Sequence, residues 1–435
     1  MKKKTSTVVT IFVILVGLGI LDSINKGKKE DKKEVIKEET WSSTLPEVIF
    51  TDVTTTEEVI RYIETTPVET TDTEKVDDTS NNDEPGWVDQ LGSIPSNALI
   101  IDADSDESAY QMIESALIDG VQYVYCNREI DFGWDDICSI PYGGFWVDTV
   151  YCPVTYCDSA NGQFLCKRFQ FDYYPISDSE FEEMKNRIDN AVQGIIDLIP
   201  VNADDWQKMR IVHDELVKMV RYDHTLSLPH IFDPYGALVN HDAVCSGYAS
   251  AFKLIMDRLG FDSKVVTSDP RADDAVGHGW NKVTVDQNDY YIDVTWDDID
   301  YYDQYNKPII MYDYFGLTKV EIEAVASHLV DHEGFRGAPG GGYAVNFHEH
   351  EGYLADKSSA SEITEILSKQ KVNGNATYYI RFTNAGDYAD FVSIVESDSI
   401  WSLFQQAGIE AEKIYRICNE TLYTVTFVLG DITQE

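Results

Sequence analysis

Basic residues are scarce in this chain of 435 residues, which carries 34 Lys and Arg against 76 Asp and Glu. The formal net charge of −42 repels nucleic-acid phosphates and anionic membrane surfaces, so neither is an expected partner. A solvated acidic face is the ordinary explanation for this composition, and it favours solubility and cationic partners. Hydrophobic residues make up 43% of the chain, which is enough for most of it to fold into globular domains.

The chain also lacks an apolar run of the length that a membrane-spanning helix needs, about 20 residues. Its most apolar stretch, VVTIFVILVGLGIL at residues 8–21, follows the basic start MKKK. This pattern is typical of a signal peptide, with an uncleaved signal anchor as the alternative. Residues 1–21 are therefore predicted to export the protein, and residues 8–21 are a candidate membrane tether. We expect the bulk of the chain to be secreted or held at the cell surface.

Residues 22–92 contain little that a folded core would bury. The run TTPVETTDTEKVDDTSNNDEPG is typical of this part of the chain, which is predicted to be an acidic disordered linker. Periodic hydrophobic segments then predict a cysteine-rich α/β region at 93–200 and a core at 201–335. A further small α/β domain of unknown role is predicted at 344–435. The run RGAPGGG predicts a hinge at 336–343.

Cysteine is not abundant, but five of the seven cysteines crowd into the region at 93–200: Cys126, Cys138, Cys152, Cys157 and Cys166. Outside the cytoplasm we expect one or two disulfides among them, although the sequence does not indicate their pairing. A zinc site is the alternative because CPVTYC has a usable spacing, but no pair of histidines lies close by to complete it. The HEHEG motif at 348–352 is predicted to be a solvated strand end. The sequence indicates no metal site and no cofactor.

One further cysteine, Cys245, precedes a segment with helical spacing, SGYASAFKLIMDRLG, which ends at Gly260. A lone free cysteine is usually a buried structural residue. At the start of a helix, however, the free N–H groups stabilise a thiolate and lower the pKa of the thiol. The same groups can bind the oxyanion that forms on an attacked acyl carbon. Gly247 would let the backbone and a substrate approach closely. Cys245 is therefore a candidate nucleophile.

A thiol nucleophile needs a base for its proton and a third group that orients the base. The segment at 279–296 alternates, turns near 287–289 and alternates again, which predicts a β-hairpin. His278 opens the first strand and Asp293 lies in the second, on the same face if the turn has an even number of residues. A two-residue turn at 287–288 would leave the two side chains offset, and a longer turn or a bulge would bring them together. Each residue taken alone is more often structural.

Together, the segments VCSGYASAFKLIMDRLG, HGWNKV and YYIDVTWDD resemble the transglutaminase-like superfamily. Its members are papain-like thiol enzymes with a Cys, a His and an Asp in this chain order. The family motif Cys-x-Gly-Tyr-Ala matches residues 245–249, and Asp-Val-Thr-Trp-Asp matches residues 293–297. The family usually has His-Ala-Trp-Asn where this chain has Gly279 in place of the alanine, one small residue for another. The close resemblance covers residues 204–332.

This resemblance implies an α+β fold whose papain-like core packs the helix that carries Cys245 on an antiparallel sheet. It implies Cys245 as the nucleophile, His278 as the base and Asp293 as the orienting carboxylate. The predicted activity is acyl transfer from a carboxamide or peptide bond through a thioester on Cys245, as in transglutaminase crosslinking. The expected substrate is a protein or peptide, cell-wall peptides included.

Five residues are candidates for substrate binding because they lie in or next to the motifs: Gly247, Tyr248, Trp280, Trp296 and Tyr235. For the tryptophans and tyrosines, packing around the site is the first expectation. Two other functions stay open. One is a cysteine peptidase or amidase that acts on cell-wall peptides or surface proteins. The other is a non-catalytic binding or scaffold module, which would have no need to keep all three candidate triad residues. The sequence indicates neither the acyl donor and acceptor nor the oligomeric state.

Overall fold

The computed structural model of the chain describes residues 7–11, 94–130, 132–151, 156–158, 163–268, 278–325, 345–372, 375–395, 397 and 399–434. The first strand, β1 (Thr7–Ile11), lies within the predicted export signal. The predicted linker at 22–92 and the predicted hinge at 336–343 lie outside the described residues. The chain forms two compact units, of which the smaller contains residues 94–140 and 144–181. The boundaries of the domains derived from the sequence stay predictions.

The smaller unit is built on a mixed sheet in the order β2–β3–β6–β4, with one more strand paired to the longest one. Its strands are β2 (Leu99–Ile101), β3 (Tyr123–Ile130), β4 (Val147–Tyr151), β5 (Tyr156–Asp158) and β6 (Gln163–Tyr173). Its helices are α1 (Asp106–Ile118) and α2 (Trp134–Ser139). Ser105 starts α1 because its side chain accepts a hydrogen bond from the Ser108 N–H, which the helix itself leaves unpaired.

Two of the five clustered cysteines have described side chains, and both are buried. Cys126, on β3, is a free thiol whose pKa is raised by burial. Cys138 lies in α2. The side chains of the other three lie outside the described residues. Any disulfide in this region therefore excludes Cys126, and the pairing of the others stays a prediction.

The larger unit contains the remaining strands and helices. Its strands are β7 (Arg221–Tyr222), β8 (Asp242–Ala243), β9 (Asp262–Thr267), β10 (Gly279–Val285), β11 (Asn288–Ile292), β12 (Asp298–Tyr302), β13 (Pro308–Ile310), β14 (Phe315–Leu317), β15 (Leu354–Ala355), β16 (Thr377–Phe382), β17 (Lys413–Asn419), β18 (Thr424–Leu429) and β19 (Thr433–Gln434). The helices that follow α2 are α3 (Asp178–Ile196), α4 (Asp205–Met219), α5 (Cys245–Arg258), α6 (Val294–Asp297), α7 (Lys319–Glu323), α8 (Phe347–His350), α9 (Ala360–Lys369), α10 (Ala385–Val395) and α11 (Ser399–Gln406).

Helix α5 packs on an antiparallel sheet in the order β14–β11–β10–β9. Its residues are buried almost throughout, because small side chains such as Ala249 and Ala251 alternate with large ones such as Phe252. Helix α4 packs beside it and starts at a capping box, in which Asp204 and Gln207 satisfy each other's backbone N–H groups. A helix that begins with Cys245 and lies on an antiparallel sheet confirms the predicted α+β class.

The predicted hairpin forms, but its turn and its second strand differ from the prediction. The turn residues are Asp286 and Gln287, both with positive φ, and Val285 pairs with Asn288. Glutamine seldom adopts this conformation, so the sequence misplaces the turn by one residue. The second strand ends at Ile292, where the prediction extended it to 296. Asp293 accepts the Trp296 N–H as an N-cap and starts the single turn of α6.

The C-terminal part of the larger unit is a sheet with three helices against one face. Its strand order is β1–β17–β18–β16–β15, with β1 added in parallel to β17. Ile363 of α9, Phe391 of α10 and Leu403 of α11 share one buried cluster with residues of β16 and β18. The predicted strand end at HEHEG is wrong, because α8 occupies this position and His348 is buried. Within the described ranges, no helix combines the length and apolar character that crossing a membrane requires.

Candidate active site

Cys245 is the first residue of α5, and backbone hydrogen bonds hold the segment that leads into this helix. The residue before it, Val244, is extended, and its N–H donates to the Ile231 carbonyl at 2.9 Å. Just before it, β8 pairs in parallel with β7, which places Tyr222 opposite Ala243. The residues from Ser246 to Phe252 are buried, whereas Cys245 is partly exposed. Cys245 is therefore a partly exposed residue at the positive end of a buried helix.

His278 and Asp293 meet next to this helix. The Nε2 atom of His278 lies 2.6 Å from Oδ2 of Asp293, and the other carboxylate oxygen, Oδ1, accepts the Trp296 N–H at 3.1 Å. Two backbone-directed bonds hold His278 to Ser268, which follows β9: the His278 N–H donates to Ser268 Oγ, and the Ser268 N–H donates to the His278 carbonyl. Asp293 is fully buried. Both oxygens of its carboxylate are thus used, one to hold its own turn and one to hold the imidazole.

The hairpin register explains how the two side chains meet. Asn281 pairs with Ile292, so His278 and Asp293 lie on one face as diagonal neighbours. The two-residue turn leaves the two side chains offset along the strands, as expected for a turn of this length. The α6 turn removes this offset because Asp293 leaves the strand and caps a helix.

The Cys245 sulfur completes the arrangement, since it is hydrogen-bonded to the His278 side chain and to the Gly279 N–H. Burial raises the pKa of this thiol, but His278 and the Gly279 N–H outweigh burial, and the pKa lies below its usual value. Burial likewise lowers the pKa of His278, but the Asp293 carboxylate and the Cys245 sulfur raise it to about 10. At neutral pH these shifts favour a thiolate and an imidazolium.

Two indole rings flank the imidazole of His278. The Trp280 ring is stacked with it at a centroid distance of 5.5 Å, and the Trp296 ring is tilted against it at 5.4 Å. Trp280 is buried, whereas Trp296 is partly exposed and packs edge-on against Tyr314. The rings limit the access of water to His278 and restrict the orientation of its ring.

Three of the five predicted substrate-binding residues have packing contacts in the structure. A Cβ atom on Gly247 would lie 2.4 Å from the Ile231 carbonyl, so only glycine fits there. Tyr248 is fully buried, and its hydroxyl lies 2.8 Å from Oδ2 of Asp298. Tyr235 is buried and hydrogen-bonded to Arg187. Trp296 is thus the one partly exposed member of the five. Contact of any of them with substrate stays a prediction.

Tyr222 lies beside the site, and from the sequence it is a residue that could line the cleft or help to bind the oxyanion, with packing as the first expectation. It is partly buried on β7, and burial raises its pKa, with further contributions from the charges of Cys245 and Asp293. Its ring also packs against His224 at 4.9 Å. The pairing of β7 with β8 joins residues about 20 positions apart, and the sequence carries no local signal for it. Across the described part of the chain, no group of three or more His, Cys, Asp or Glu residues is arranged to hold a metal ion.

These residues fall inside a stretch of the chain that matches a known family. Residues 198–295 match the model of the transglutaminase-like superfamily. The match includes Cys245, His278 and Asp293, and it confirms the resemblance over these residues. The transglutaminase-like segment contains α4, α5 and the hairpin, whereas the smaller unit and the C-terminal sheet lie outside it. It supports a papain-like thiol enzyme as the general class.

Solved structures add distant similarities. A transglutaminase is 10% identical with a TM-score of 0.24, and the match covers 46% of this chain and 60% of that one. A candidate cysteine protease from Cytophaga hutchinsonii is 10% identical with a TM-score of 0.23, over 34% of this chain and 55% of that one. A candidate protease from Parabacteroides distasonis is 12% identical with a TM-score of 0.24, over 59% of this chain and 45% of that one. TM-scores this low establish no shared activity. No protein of curated function matches the sequence.

Proposed function

We propose that this protein is an extracytoplasmic thiol enzyme that transfers acyl groups from carboxamide or peptide bonds through a thioester on Cys245. The observation that carries the proposal is the continuous chain of contacts from the Cys245 sulfur to His278 and on to Asp293. Such a chain supplies an ionised nucleophile, a proton donor and a group that orients the donor. The extracytoplasmic location rests on the composition of residues 1–21.

In the first half of the reaction, the Cys245 thiolate attacks the acyl carbon and forms the C–S bond. The negative charge that develops on the carbonyl oxygen is stabilised by free N–H groups at the start of α5. The imidazolium of His278 donates its proton to the leaving nitrogen as the C–N bond breaks, and ammonia or an amine departs. The carboxylate of Asp293 stabilises the imidazolium and, through its contact with Nε2, orients the ring toward the thiol.

In the second half, an amine attacks the thioester and His278 accepts its proton, so that an amide forms and the Cys245 thiolate is regenerated. Water in place of the amine gives a carboxylic acid, which is the outcome in a peptidase or amidase. The packing of Trp280 and Trp296 against His278 lowers the access of water to the base, and this favours transfer over hydrolysis. Of the five candidate residues, we assign substrate contact to Trp296, which is partly exposed.

The test is to incubate the protein with a primary-amine probe and a glutamine-rich protein and to identify products by mass spectrometry, beside Cys245→Ala. Amine incorporation that is absent in the variant supports acyl transfer. Cleaved or deamidated products that are absent in the variant overturn transfer in favour of the hydrolase. If neither product forms and Cys245 reacts with iodoacetamide only above about pH 8.5, as an ordinary thiol does, the protein is a binding module.

A further inference from the structure

A second buried histidine–aspartate pair lies one helical turn beyond Asp293. The Nε2 atom of His213, on α4, lies 3.2 Å from Oδ2 of Asp297, and both side chains are fully buried. Asp297 is the last residue of α6, the turn that Asp293 caps, and its N–H donates to the Asp293 carbonyl at 3.2 Å. The pair therefore joins the C-terminal end of this turn to α4.

Both ring nitrogens of His213 face carboxylate oxygens. The other ring nitrogen, Nδ1, lies 3.1 Å from Oδ1 of Asp214. An ionised carboxylate only accepts hydrogen bonds, so His213 donates from both positions as an imidazolium when both carboxylates are ionised. Arg210 adds a second cation, with its Nε 3.5 Å from Oδ2 of Asp214. Arg210 also lies 3.5 Å from Oε1 of Glu351, so cations and carboxylates are paired around His213.

Asp297 is linked to Asp293 by a second route, through Tyr314. The Tyr314 N–H donates to Oδ1 of Asp297 at 3.1 Å, and the Asp293 N–H donates to the Tyr314 carbonyl at 3.1 Å. The backbone of Asp297 is also held, because its carbonyl accepts the Met311 N–H at 2.9 Å. The carboxylate of Asp297 therefore holds the backbone N–H of Tyr314, and the carbonyl of Tyr314 holds the backbone N–H of Asp293. A movement of Asp297 is transmitted to Asp293 by short, directional bonds.

We propose that His213 and Asp297 are positioning residues that hold the α6 turn so that Asp293 keeps its 2.6 Å contact with His278. Neither residue touches the thiol, so both act through Asp293. This inference rests on the proposed function, in which Asp293 orients His278. A displacement of about 1 Å in a catalytic group can cost about 100-fold in rate, so a distant anchor has a measurable effect.

Other charged and titratable groups face this pair, and each bears on a pH profile. Asp214 and Arg210 lie on α4 with His213, and the Tyr312 ring lies 5.4 Å from the His213 ring. The charges of Asp313 and Asp298 act on Asp297 and His213, respectively. Burial lowers the pKa of His213, but Asp214 and Asp297 raise it to about 9. Burial raises the pKa of Asp297 to about 7, although His213 opposes this rise, so the ionisation of Asp297 falls within the pH range of the test.

The test measures the rate of Cys245 alkylation by iodoacetamide from pH 5 to pH 10 on the full chain, which needs no knowledge of the substrate. His213→Gln should lower the rate at pH 6.5 about tenfold and raise the midpoint of the profile by about one pH unit, since a misplaced Asp293 weakens the imidazolium. The double variant His213→Gln with Asp297→Asn should recover part of this loss, because two amides hydrogen-bond without an unpaired charge.

The matched control is His348→Gln. His348 is buried like His213 but lies on α8, and neither of its ring nitrogens has a hydrogen-bond partner among the described residues. Its profile should be that of the wild type. A folded His213→Gln protein with the wild-type profile overturns the positioning role and leaves the proposed function intact. A wild-type protein whose Cys245 reacts only above about pH 8.5 overturns the proposed function instead.

Circular dichroism and thermal unfolding establish which variants fold. If His213→Gln does not fold, Asp297→Asn gives the same readout, because it breaks the pair from the other side and keeps an oxygen for the Tyr314 N–H. An unchanged profile in folded Asp297→Asn then overturns the proposal. A shift toward higher pH that His348→Gln lacks supports it.

Discussion

Cys245 and Cys418 are two thiols of the larger unit whose surroundings differ in almost every respect. Cys418 lies on β17 inside the apolar cluster that α9, α10 and α11 form, and it is 3% exposed. Burial raises its pKa to about 12, and the nearby charge of Arg416 does not offset this. Cys245 is partly exposed at the start of α5, and its pKa is lowered. A cation in the neighbourhood is thus not enough to ionise a thiol.

The decisive difference between the two cysteines lies in the polar contacts that each sulfur makes. The Cys245 sulfur contacts a base that is itself held by a buried carboxylate, and it accepts a hydrogen bond from a backbone N–H. Each of these contacts favours the thiolate over the thiol. Cys418 lies in a cluster of large apolar residues such as Phe427 and Phe391, and its hydrogen bond with the Tyr388 side chain does not offset burial. One residue type therefore has a chemical role in one place and a structural role in the other.

The largest expected effect separates the two thiols directly. Iodoacetamide at pH 6.5 should label Cys245 in the wild type, and Cys245→Ala should lose this label completely. Catalytic turnover, once a substrate is found, should fall on the order of 10⁴-fold or more. Cys418→Ala should keep both the label and the turnover. Peptide mapping by mass spectrometry identifies the labelled residue, and a label on Cys418 at this pH would break the comparison.

The next effect tests whether His278 causes the difference. His278→Gln should reduce alkylation of Cys245 at pH 6.5 by about tenfold or more, because the thiolate loses its positive partner. The matched control is His230→Gln, since His230 also contacts a buried carboxylate, with 2.7 Å between Nδ1 and Oδ2 of Asp233. Stopped-flow or quenched labelling gives the rates. Equal losses in both variants would mean that the effect comes from a general loosening of the unit.

The sequence predicts much of this site because local patterns encode its parts. Alternation indicates the hairpin and places His278 and Asp293 on one face, and helical spacing places Cys245 at the start of α5. The alternation of DVTW also suggests a longer strand, but Asp293 is a better N-cap than a strand residue, and α6 forms instead.

Contacts between distant segments are what the sequence does not encode locally. His213 lies 84 positions from its partner Asp297, and no local pattern in the sequence connects the two residues. The pairing of β7 with β8, which brings Tyr222 to the site, is of the same kind. His348 is misassigned because a short polar motif suggests exposure, whereas neighbouring rings such as Phe347 and Tyr379 bury it. Such burial follows from tertiary packing, which overrides local preference.

A third prediction concerns stability as a function of pH. The folded pKa of His278, about 10, exceeds its unfolded value, so its contribution is complete below about pH 6.5 and is lost as the pH rises through about 10. The pKa of Cys245 is lowered, so its contribution is complete above about pH 9 and is lost as the pH falls through the folded value. The wild type should therefore lose on the order of 1–3 kcal/mol between pH 8 and pH 10.5 that His278→Gln does not lose. Urea unfolding at each pH measures this difference, and parallel curves would exclude it.

The smallest expected effect is on stability, and it compares variants of Cys418 with a variant of Cys245. Cys418→Ala should lower the free energy of unfolding by about 1 kcal/mol, because it leaves a small cavity in the apolar cluster. Cys418→Ser should cost more, about 1–3 kcal/mol, since a buried hydroxyl needs a hydrogen-bond partner that a thiol does not. Cys245→Ala should also lower the free energy of unfolding at pH 7, because His278 and the Gly279 N–H outweigh the burial of its thiolate. Urea unfolding at pH 7 ranks the three variants. A Cys245→Ala protein more stable than the wild type would mean that the Cys245–His278 pair destabilises the fold, and that reactivity at this site is obtained at the expense of stability.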